Sequence, residues 1–328
     1  MIAPAWRWGT CGLLLCGVLL AAALGAGLPL QEWLAHPQAD ARLGLVVWEI
    51  RLPRALLALV IGAGLGAAGA ALQALLRNPL AEPGVLGISS GAALGAVLAF
   101  YSGLSLAFAP ALPLGGFIGA LVVTVALSLL AARASNTATL LLAGVALNSL
   151  LGAIVALVLS LAPNPYALYE IYFWLMGSVT DRSMVHLALA APPLLLGIAV
   201  LVRAARPLEV LVLGEEIATT LGLDVRRLRQ RVILGTALAV GPGVAVAGAI
   251  GFVGMLVPHL VRVLVGSARP RILVPLSAIG GAALTLFADL LSRSPLLPVE
   301  LKLGVISALL GAPAFLLVAL RLREGATR

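Results

Sequence analysis

The chain has 328 residues, of which 62% are hydrophobic and only 10% are charged. A water-soluble domain carries about a quarter charged residues, so this chain has too few polar side chains to cover a soluble globule. We therefore predict an integral membrane protein, with lipid against most of its surface. The 36 glycines favour closely packed helices over a β-barrel, whose strands would alternate polar and apolar residues.

The net charge of +8 does not indicate a nucleic-acid-binding protein, because the basic residues lie in short connections between apolar stretches. That distribution is typical of membrane topology, in which cytoplasmic loops are rich in arginine. If the N-terminus is cytoplasmic, 15 of the 21 basic residues lie on the cytoplasmic side and 6 on the outer side. We therefore expect both termini in the cytoplasm.

Ten apolar stretches predict about ten membrane helices. The predicted helices are 12–30, 55–76, 86–101, 112–132, 139–162, 185–203, 232–250, 252–267, 272–291 and 303–320. We interpret the first as an uncleaved helix and not as a signal peptide, because it is long and no small-residue cleavage site precedes Pro29. Its cysteines, Cys11 and Cys16, are interpreted as small core residues and imply no disulfide framework.

Two of the predicted helices, 86–101 and 252–267, barely reach across a bilayer. They are the third and the eighth, so they occupy equivalent positions in the two halves of a ten-helix chain. Paired short helices of this kind are typical of inverted-repeat transporters, where they point to the transport site. The sequence thus predicts an all-α bundle with an inverted repeat.

The two longest connections lie on opposite sides of the membrane. The outer one, 163–184, is rich in aromatic residues and predicts a short helix at the membrane surface. The cytoplasmic one, 204–231, is the most polar part of the chain and predicts a loop. Within that loop, a short polar helix followed by Gly222 is predicted.

Several short motifs occur along the chain. They are Arg51-Leu-Pro-Arg54; Arg77-Asn-Pro-Leu-Ala-Glu-Pro83; Gly84-Val-Leu-Gly-Ile-Ser-Ser-Gly91; Leu142-Ala-Gly-Val145; Ala247-Gly-Ala-Ile-Gly-Phe-Val-Gly254; Pro258-His-Leu-Val-Arg262; Ala288-Asp289 with Arg293; and Gly311-Ala-Pro313. Their order and spacing, over about residues 45–320, resemble the permease subunits of bacterial type II ABC importers, the FecCD-type family that takes up iron–siderophore complexes, haem and vitamin B12.

This resemblance implies a homodimer in the bacterial inner membrane, working with two cytoplasmic ATP-binding subunits and a periplasmic binding protein. It implies binding-protein docking by outer arginines, whose planar guanidinium groups suit carboxylates. Those arginines are Arg51, Arg54 and Arg293. It also implies that the cytoplasmic loop 204–231 couples to the ATPase through Gly214, Glu215, Glu216, Ala218, Leu221 and Gly222. The expected translocation path includes Ser89, Ser90, Gly91, Gly251 and Gly254.

Simpler interpretations stay open for some of these residues. Arg51 and Arg54 could serve as interfacial anchors, since long arginine side chains reach the membrane surface. Ser89 and Ser90 could cap the third helix and not line a path. One stretch departs from the family: the usual Glu-Leu-Pro-x-Gly before the last helix reads Glu300-Leu-Lys-Leu-Gly304, which changes the shape or charge of the outer entrance.

The sequence gives no indication of an enzyme, a cofactor or a metal site. Its one lysine lies outside any phosphate-binding loop, and His259 has no cysteine, aspartate or second histidine at ligand spacing. We interpret His259 as structural. The alternative to an ATP-driven permease is an ion-gradient-driven transporter, which needs several intramembrane carboxylates. We find essentially one, Asp289, with Arg293 one helical turn away as its expected partner.

Overall fold

The computed structural model describes residues 5–25, 44–108, 110–133, 137–161, 165–294 and 299–325. Within those ranges the chain forms helices joined by short connections, and no strand is present. The numbered helices are α1 (Ala5–Gly25), α2 (Leu52–Leu76), α3 (Ile88–Tyr101), α4 (Ala111–Arg133), α5 (Thr137–Ser160), α6 (Pro165–Leu175), α7 (Met184–Leu211), α8 (Glu215–Thr220), α9 (Val225–Ala247), α10 (Val253–Val265), α11 (Pro270–Ser292) and α12 (Leu303–Gly325). Short helical turns also occupy Val46–Arg51, Pro83–Leu86 and Leu104–Ala107.

Seven of the helices in the described ranges are long and apolar enough to cross a membrane, and three more are shorter apolar helices. The short ones are α3, α10 and the first part of α12, so the third and eighth predicted helices are indeed short. Each of the ten predicted stretches overlaps one of these helices. Residues 26–30, the end of the first predicted stretch, lie outside the described residues.

The two ends of the bundle carry different connections, and we name each end after its short helix. The α8 face holds the ends of α2 and α7, where Arg77 lies near Glu215. The α6 face holds the starts of α2 and α12, and here the Ser178 amide donates to the carbonyl of Ala247 over 2.6 Å. These two faces position the candidate sites described below.

The centre of the bundle is built around α2, α9 and α11. In the most apolar window of α2, 78% of the residues are buried, whereas the figures for α1 and α5 are 6% and 11%. The polypeptide backbones approach closely because glycines face each other. A Cβ atom on Gly62 would overlap the carbonyl of Gly281, and one on Gly66 would overlap the carbonyl of Ser277. Small residues thus allow contact between α2 and α11 without intervening side chains.

The prediction that 204–231 is a loop is wrong for most of its length. In the structure α7 continues to Leu211 and α9 begins at Val225, so only a short connection around α8 remains. The hydropathy falls because arginines begin there, but arginine is a good helix former. The drop in hydropathy therefore indicates where each helix leaves the lipid, and the helix itself continues beyond that point.

The chain enters α10 through a non-helical segment, residues 248–252, in which Gly248 and Ile250 are buried. Gly248 has φ of +75° and Phe252 has φ of +65°, the left-handed region that favours glycine. The Phe252 ring packs against Gly311 of α12. Two residues later, Gly254 lies against the backbone of Gly69 in α2, so that no side chain separates α10 from α2 at this contact.

Candidate transport and docking sites

Charged side chains form a buried cluster on the α6 face. The Arg54 Nε donates to Oδ1 of Asp289 over 2.8 Å, and its Nη2 donates to Oε1 of Glu300 over 2.6 Å. Arg293 lies 3.5 Å from the second carboxylate oxygen of Asp289. The Asp289 side chain is 1% exposed and that of Arg54 is 11% exposed, so this pair is excluded from water. We call these four residues the outer ion cluster.

The outer ion cluster changes the interpretation of the predicted docking arginines. Arg54 does not present its guanidinium outward, because two carboxylates of the same chain already accept from it. Arg51 donates to the carbonyl of Leu24 over 2.8 Å and Arg293 donates to that of Ala23 over 3.1 Å, so both are partly buried. The docking role of Arg54 stays a prediction, and the structure adds that its guanidinium is bound within its own chain.

Glu300 is the most accessible member of the outer ion cluster, with 39% of its side chain exposed. Burial raises the pKa of Glu300, but hydrogen bonds from Arg54 and Thr180 and the charges of Arg54 and Lys302 outweigh it and hold the pKa below its ordinary value. The Thr180 hydroxyl donates to the same Oε1 over 2.9 Å. Glu300 is thus held as a carboxylate.

Lys302, the residue that departs from the family pattern, takes part in a contact between α6 and the start of α12. Its ammonium nitrogen lies 5.8 Å from the centre of the Phe173 ring. An ammonium group at this distance is attracted by the negative face of an aromatic ring. The lysine therefore adds a link between α6 and the 299–302 connection.

Polar side chains meet at mid-length of α5, where it packs against the start of α3. The Ser90 hydroxyl donates to Oδ1 of Asn148 over 2.6 Å, and Ser89 is partly exposed beside it. The next residue of α5, Ser149, is exposed. Hydroxyl and amide groups at this depth are unfavourable against hydrocarbon, so this face of α5 suits a water-filled path or another protein chain.

The predicted path glycines have different environments. Gly251 is exposed and has no atom near its Cβ position. Gly91 and Gly254 are buried, and a Cβ on either would meet a neighbouring helix or turn, Val123 and Gly119 in one case and Pro83 in the other. Gly91 and Gly254 thus allow close helix packing, and their place on the path stays a prediction.

On the opposite face, α8 is fixed to the bundle by its first residue. Oε2 of Glu215 accepts from Nη2 of Arg229 over 2.7 Å, and Oε1 lies 3.9 Å from Arg77. Ala218 is fully buried, so one side of the helix packs inward. Glu215 and Ala218 therefore both face the body of the chain, and their coupling to the ATPase stays a prediction.

The other side of α8 is apolar and exposed. Ile217 is 52% exposed and Leu221 65% exposed, and Leu213 before the helix is 60% exposed. Glu216 lies on the same accessible surface. A cleft of about 940 Å³ adjoins α8, between the turn after α2 and the start of α5. The sequence prediction includes Leu221 but not Leu213 or Ile217, because leucine and isoleucine are common throughout the chain.

In the described part of the chain, no group of three or more histidine, cysteine, aspartate or glutamate residues could hold a metal ion. His259 is buried, with 8% of its surface exposed, and lies one helical turn before Arg262.

The two glycines flanking α8 have positive φ, +120° for Gly214 and +82° for Gly222. They set the direction in which the chain enters and leaves the helix.

Comparison with known proteins places this arrangement in a family. The sequence profile of the FecCD transport family matches residues 13–321. The chain is 43% identical over 319 residues to the vitamin B12 import system permease protein BtuC of Vibrio cholerae, covering 96% of this chain and 95% of that protein. It is 44% identical over 289 residues to the hemin transport system permease protein HmuU of Yersinia pestis, covering 85% and 84%.

A solved structure has the same fold. A metal-chelate type ABC transporter in an inward-facing conformation superposes with a TM-score of 0.85 at 33% identity, covering 95% of this chain and 98% of that one. With the sequence match over residues 13–321, this shows both the family and the architecture. The chain is therefore a member of the FecCD transport family, a multi-pass permease with the type II ABC importer fold.

Proposed function

We propose that two copies of this chain form the translocation path of an ATP-driven importer in the bacterial inner membrane. The path carries an iron chelate, haem or cobalamin from a periplasmic binding protein to the cytoplasm. The α8 face is cytoplasmic, both termini lie on that side, and two separate ATP-binding subunits supply the energy. The relatives named for vitamin B12 and hemin transport support this range of substrates.

The single observation that carries the proposal is the exposed polar face of α5. This helix is long enough to span the membrane, yet only 11% of the residues in its most apolar part are buried, and it holds Asn148 and Ser149 near its middle. A second copy placed on this face covers the aliphatic residues and leaves the hydroxyl and amide groups beside a central path. Ser89, Ser90 and Gly251 are the path residues that we retain from the sequence prediction.

The apolar surface of α8 supports the ATPase partner. Exposed aliphatic residues facing an aqueous compartment mark a protein contact. We propose that Leu213, Glu216, Ile217 and Leu221 contact the ATPase, while Gly214 and Gly222 orient the helix. Glu215 and Ala218 then hold α8 rigidly to α2 and α9, so that displacement of α8 is passed to the membrane helices.

The test is reconstitution of the chain in liposomes with its candidate ATPase and binding protein. We expect uptake of the chelate only when ATP is inside with the ATPase. Uptake by the chain alone, driven by a proton or sodium gradient, would overturn the proposal in favour of a secondary transporter.

A second test concerns the exposed apolar side of α8, which we propose to contact the ATPase. Ile217→Asp should abolish co-purification of the ATPase, because it places a charge on the apolar contact. Ile217→Leu keeps the aliphatic surface and serves as the matched control. Normal assembly of Ile217→Asp would show that the ATPase binds elsewhere.

A further inference from the structure

A second cavity on the α8 face has a composition that the transport path does not explain. It has a volume of about 320 Å³ and lies between the end of α2, the end of α7 and the connection from α10 to α11. Two arginines, Arg77 and Arg262, line it together with Gln73 and Asn78. No aspartate or glutamate is among its lining residues.

Arg262 is held in position by a buried amide. Nη2 of Arg262 donates to Oε1 of Gln73 over 3.2 Å, and the Gln73 amide nitrogen donates to the carbonyl of Met255 over 3.2 Å. Gln73 is 4% exposed, so its orientation is fixed by packing as well as by these hydrogen bonds. The guanidinium is therefore preorganised at the cavity.

Arg262 is a partly buried arginine without a carboxylate partner in the described part of the chain, whereas the buried Arg229 has one. Arg229 pairs with Glu215, and both Arg269 and Arg271 pair with Glu209. A partly buried arginine without an acid is costly unless an anion is supplied from outside the chain. This difference singles out the cavity.

Two further features of the cavity favour an anion that is covalently attached to an apolar group. The start of α11, a helix of 23 residues, lines the cavity through Pro270 and Leu273, so the positive end of its dipole is close. Ala70, Ala74 and Leu273 form an apolar part of the wall. Arginine binds phosphate oxygens with paired hydrogen bonds.

We propose that this cavity binds a phosphate group, held by Arg262 and by Arg77, whose contact with Glu215 is long, at 3.9 Å. The group comes either from an anionic phospholipid headgroup or from free phosphate. Basic pockets between helices on the cytoplasmic side of a membrane bind lipid headgroups, which makes both sources chemically reasonable. The inference rests on the proposed cytoplasmic position of the α8 face, and not on the transported substrate or on the ATPase.

The experiment uses the purified, delipidated chain in detergent. It is titrated separately with short-chain phosphatidylglycerol, short-chain phosphatidylcholine and inorganic phosphate, with binding followed by calorimetry. We expect saturable binding of one anionic probe, and about a tenfold loss of affinity in Arg262→Gln, because a charge-assisted hydrogen-bonded contact is lost. Arg262→Lys should retain part of the affinity that Arg262→Gln loses. Preference for phosphatidylglycerol identifies the lipid, and equal binding of inorganic phosphate identifies the free ion.

Two variants make the result decisive. Arg271→Gln removes the same charge from the same face outside the cavity and should stay within about twofold of the original chain, since its charge is exposed and paired. Ala74→Leu fills the cavity without changing charge and should abolish binding even if Arg262→Gln does not fold. Unchanged binding in Ala74→Leu, or absence of binding of every probe to the original chain, would overturn the proposal. Loss of ATPase assembly in Arg262→Gln without any probe binding would assign the arginine to an acidic residue of the ATPase.

Discussion

Asp289 shows how one buried charge is satisfied by residues that sequence spacing does not reveal. Its expected partner, Arg293, lies 3.5 Å away, but Arg54 is closer, at 2.8 Å. Arg54 is 235 positions distant in the sequence, whereas Arg293 is one helical turn away. Local periodicity predicts the contact of Asp289 with Arg293. It cannot predict the contact with Arg54, which depends on the packing of α2 against α11.

Removal of the Asp289 charge should destabilise the chain strongly. In Asp289→Asn we expect a loss of about 3–5 kcal/mol in unfolding free energy, because Arg54 is left as a buried charge with a weaker partner. The measurement is denaturant-induced unfolding in detergent. Arg54→Met combined with Asp289→Leu should recover most of the loss. A change in Asp289→Asn no larger than that in Glu300→Gln, whose side chain is partly exposed, would contradict this.

Glu300 should give the outer ion cluster a defined dependence on pH. Because its pKa is lowered in the folded chain, its contribution is fully present above the ordinary carboxylate pKa and is lost as pH falls through the folded value. The original chain and Glu300→Gln should therefore differ in melting temperature equally at neutral and mildly acidic pH. Their melting temperatures should become equal only below the ordinary pKa range of glutamate. Convergence already near pH 6 would show that the carboxylate is not held by Arg54.

Arg51 is the member of the predicted docking set that the outer ion cluster does not contain. Arg51→Glu should weaken association with the binding protein at low salt, and the difference should shrink at high salt as the charges are screened. Surface plasmon resonance on the chain in nanodiscs measures both. Arg7→Glu, an equal charge reversal on the α8 face, is the control. Equal effects of the two reversals would make Arg51 an interfacial anchor.

The helices themselves follow from long apolar stretches, and for this reason the sequence predicts them well. Their contacts do not, because a glycine in a sequence looks the same whether it faces lipid or another backbone. The position of Gly254 in a short helix predicts that it lines the translocation path. The structure shows that it packs against Gly69. The helical extensions of α7 and α9 were missed because hydropathy reports contact with lipid and not backbone conformation.

Substitution of two glycines should separate packing from helix propensity. Gly281→Ala places a methyl group against the carbonyl of Gly62, and we expect a loss of about 1–3 kcal/mol in unfolding free energy. Gly17→Ala has no atom within 4 Å of the new methyl group, and it should stabilise α1 by about 0.5–1 kcal/mol. Thermal unfolding in detergent compares them. A stabilised Gly281→Ala would show that α2 and α11 are not in fixed contact.

At the scale of the whole molecule, the exposed face of α5 should be the contact between two copies. In a background of Cys11→Ser and Cys16→Ser, a single cysteine is placed at Leu142, Val145 or Ser149. Oxidation should give a disulfide-linked dimer at one or more of these positions, because a two-fold axis brings identical residues together. Leu14→Cys on α1, which is exposed to a similar degree as Leu142, should stay monomeric. Dimers through α1 alone would place the contact on the other side of the bundle.

The close contacts of α2 have a consequence for how the two faces communicate. Its 25 residues extend for about 37 Å, and the part from Arg54 in the outer ion cluster to Gln73 at the phosphate cavity covers about 29 Å. Along this length Gly62, Gly64, Gly66 and Gly69 meet the backbones of α11, α9 and α10 directly. Few side chains interlock there, so a shift of α2 along its axis requires few rotamer changes in its neighbours. We expect α2 to move as a sliding element, with small shear steps and not a bend.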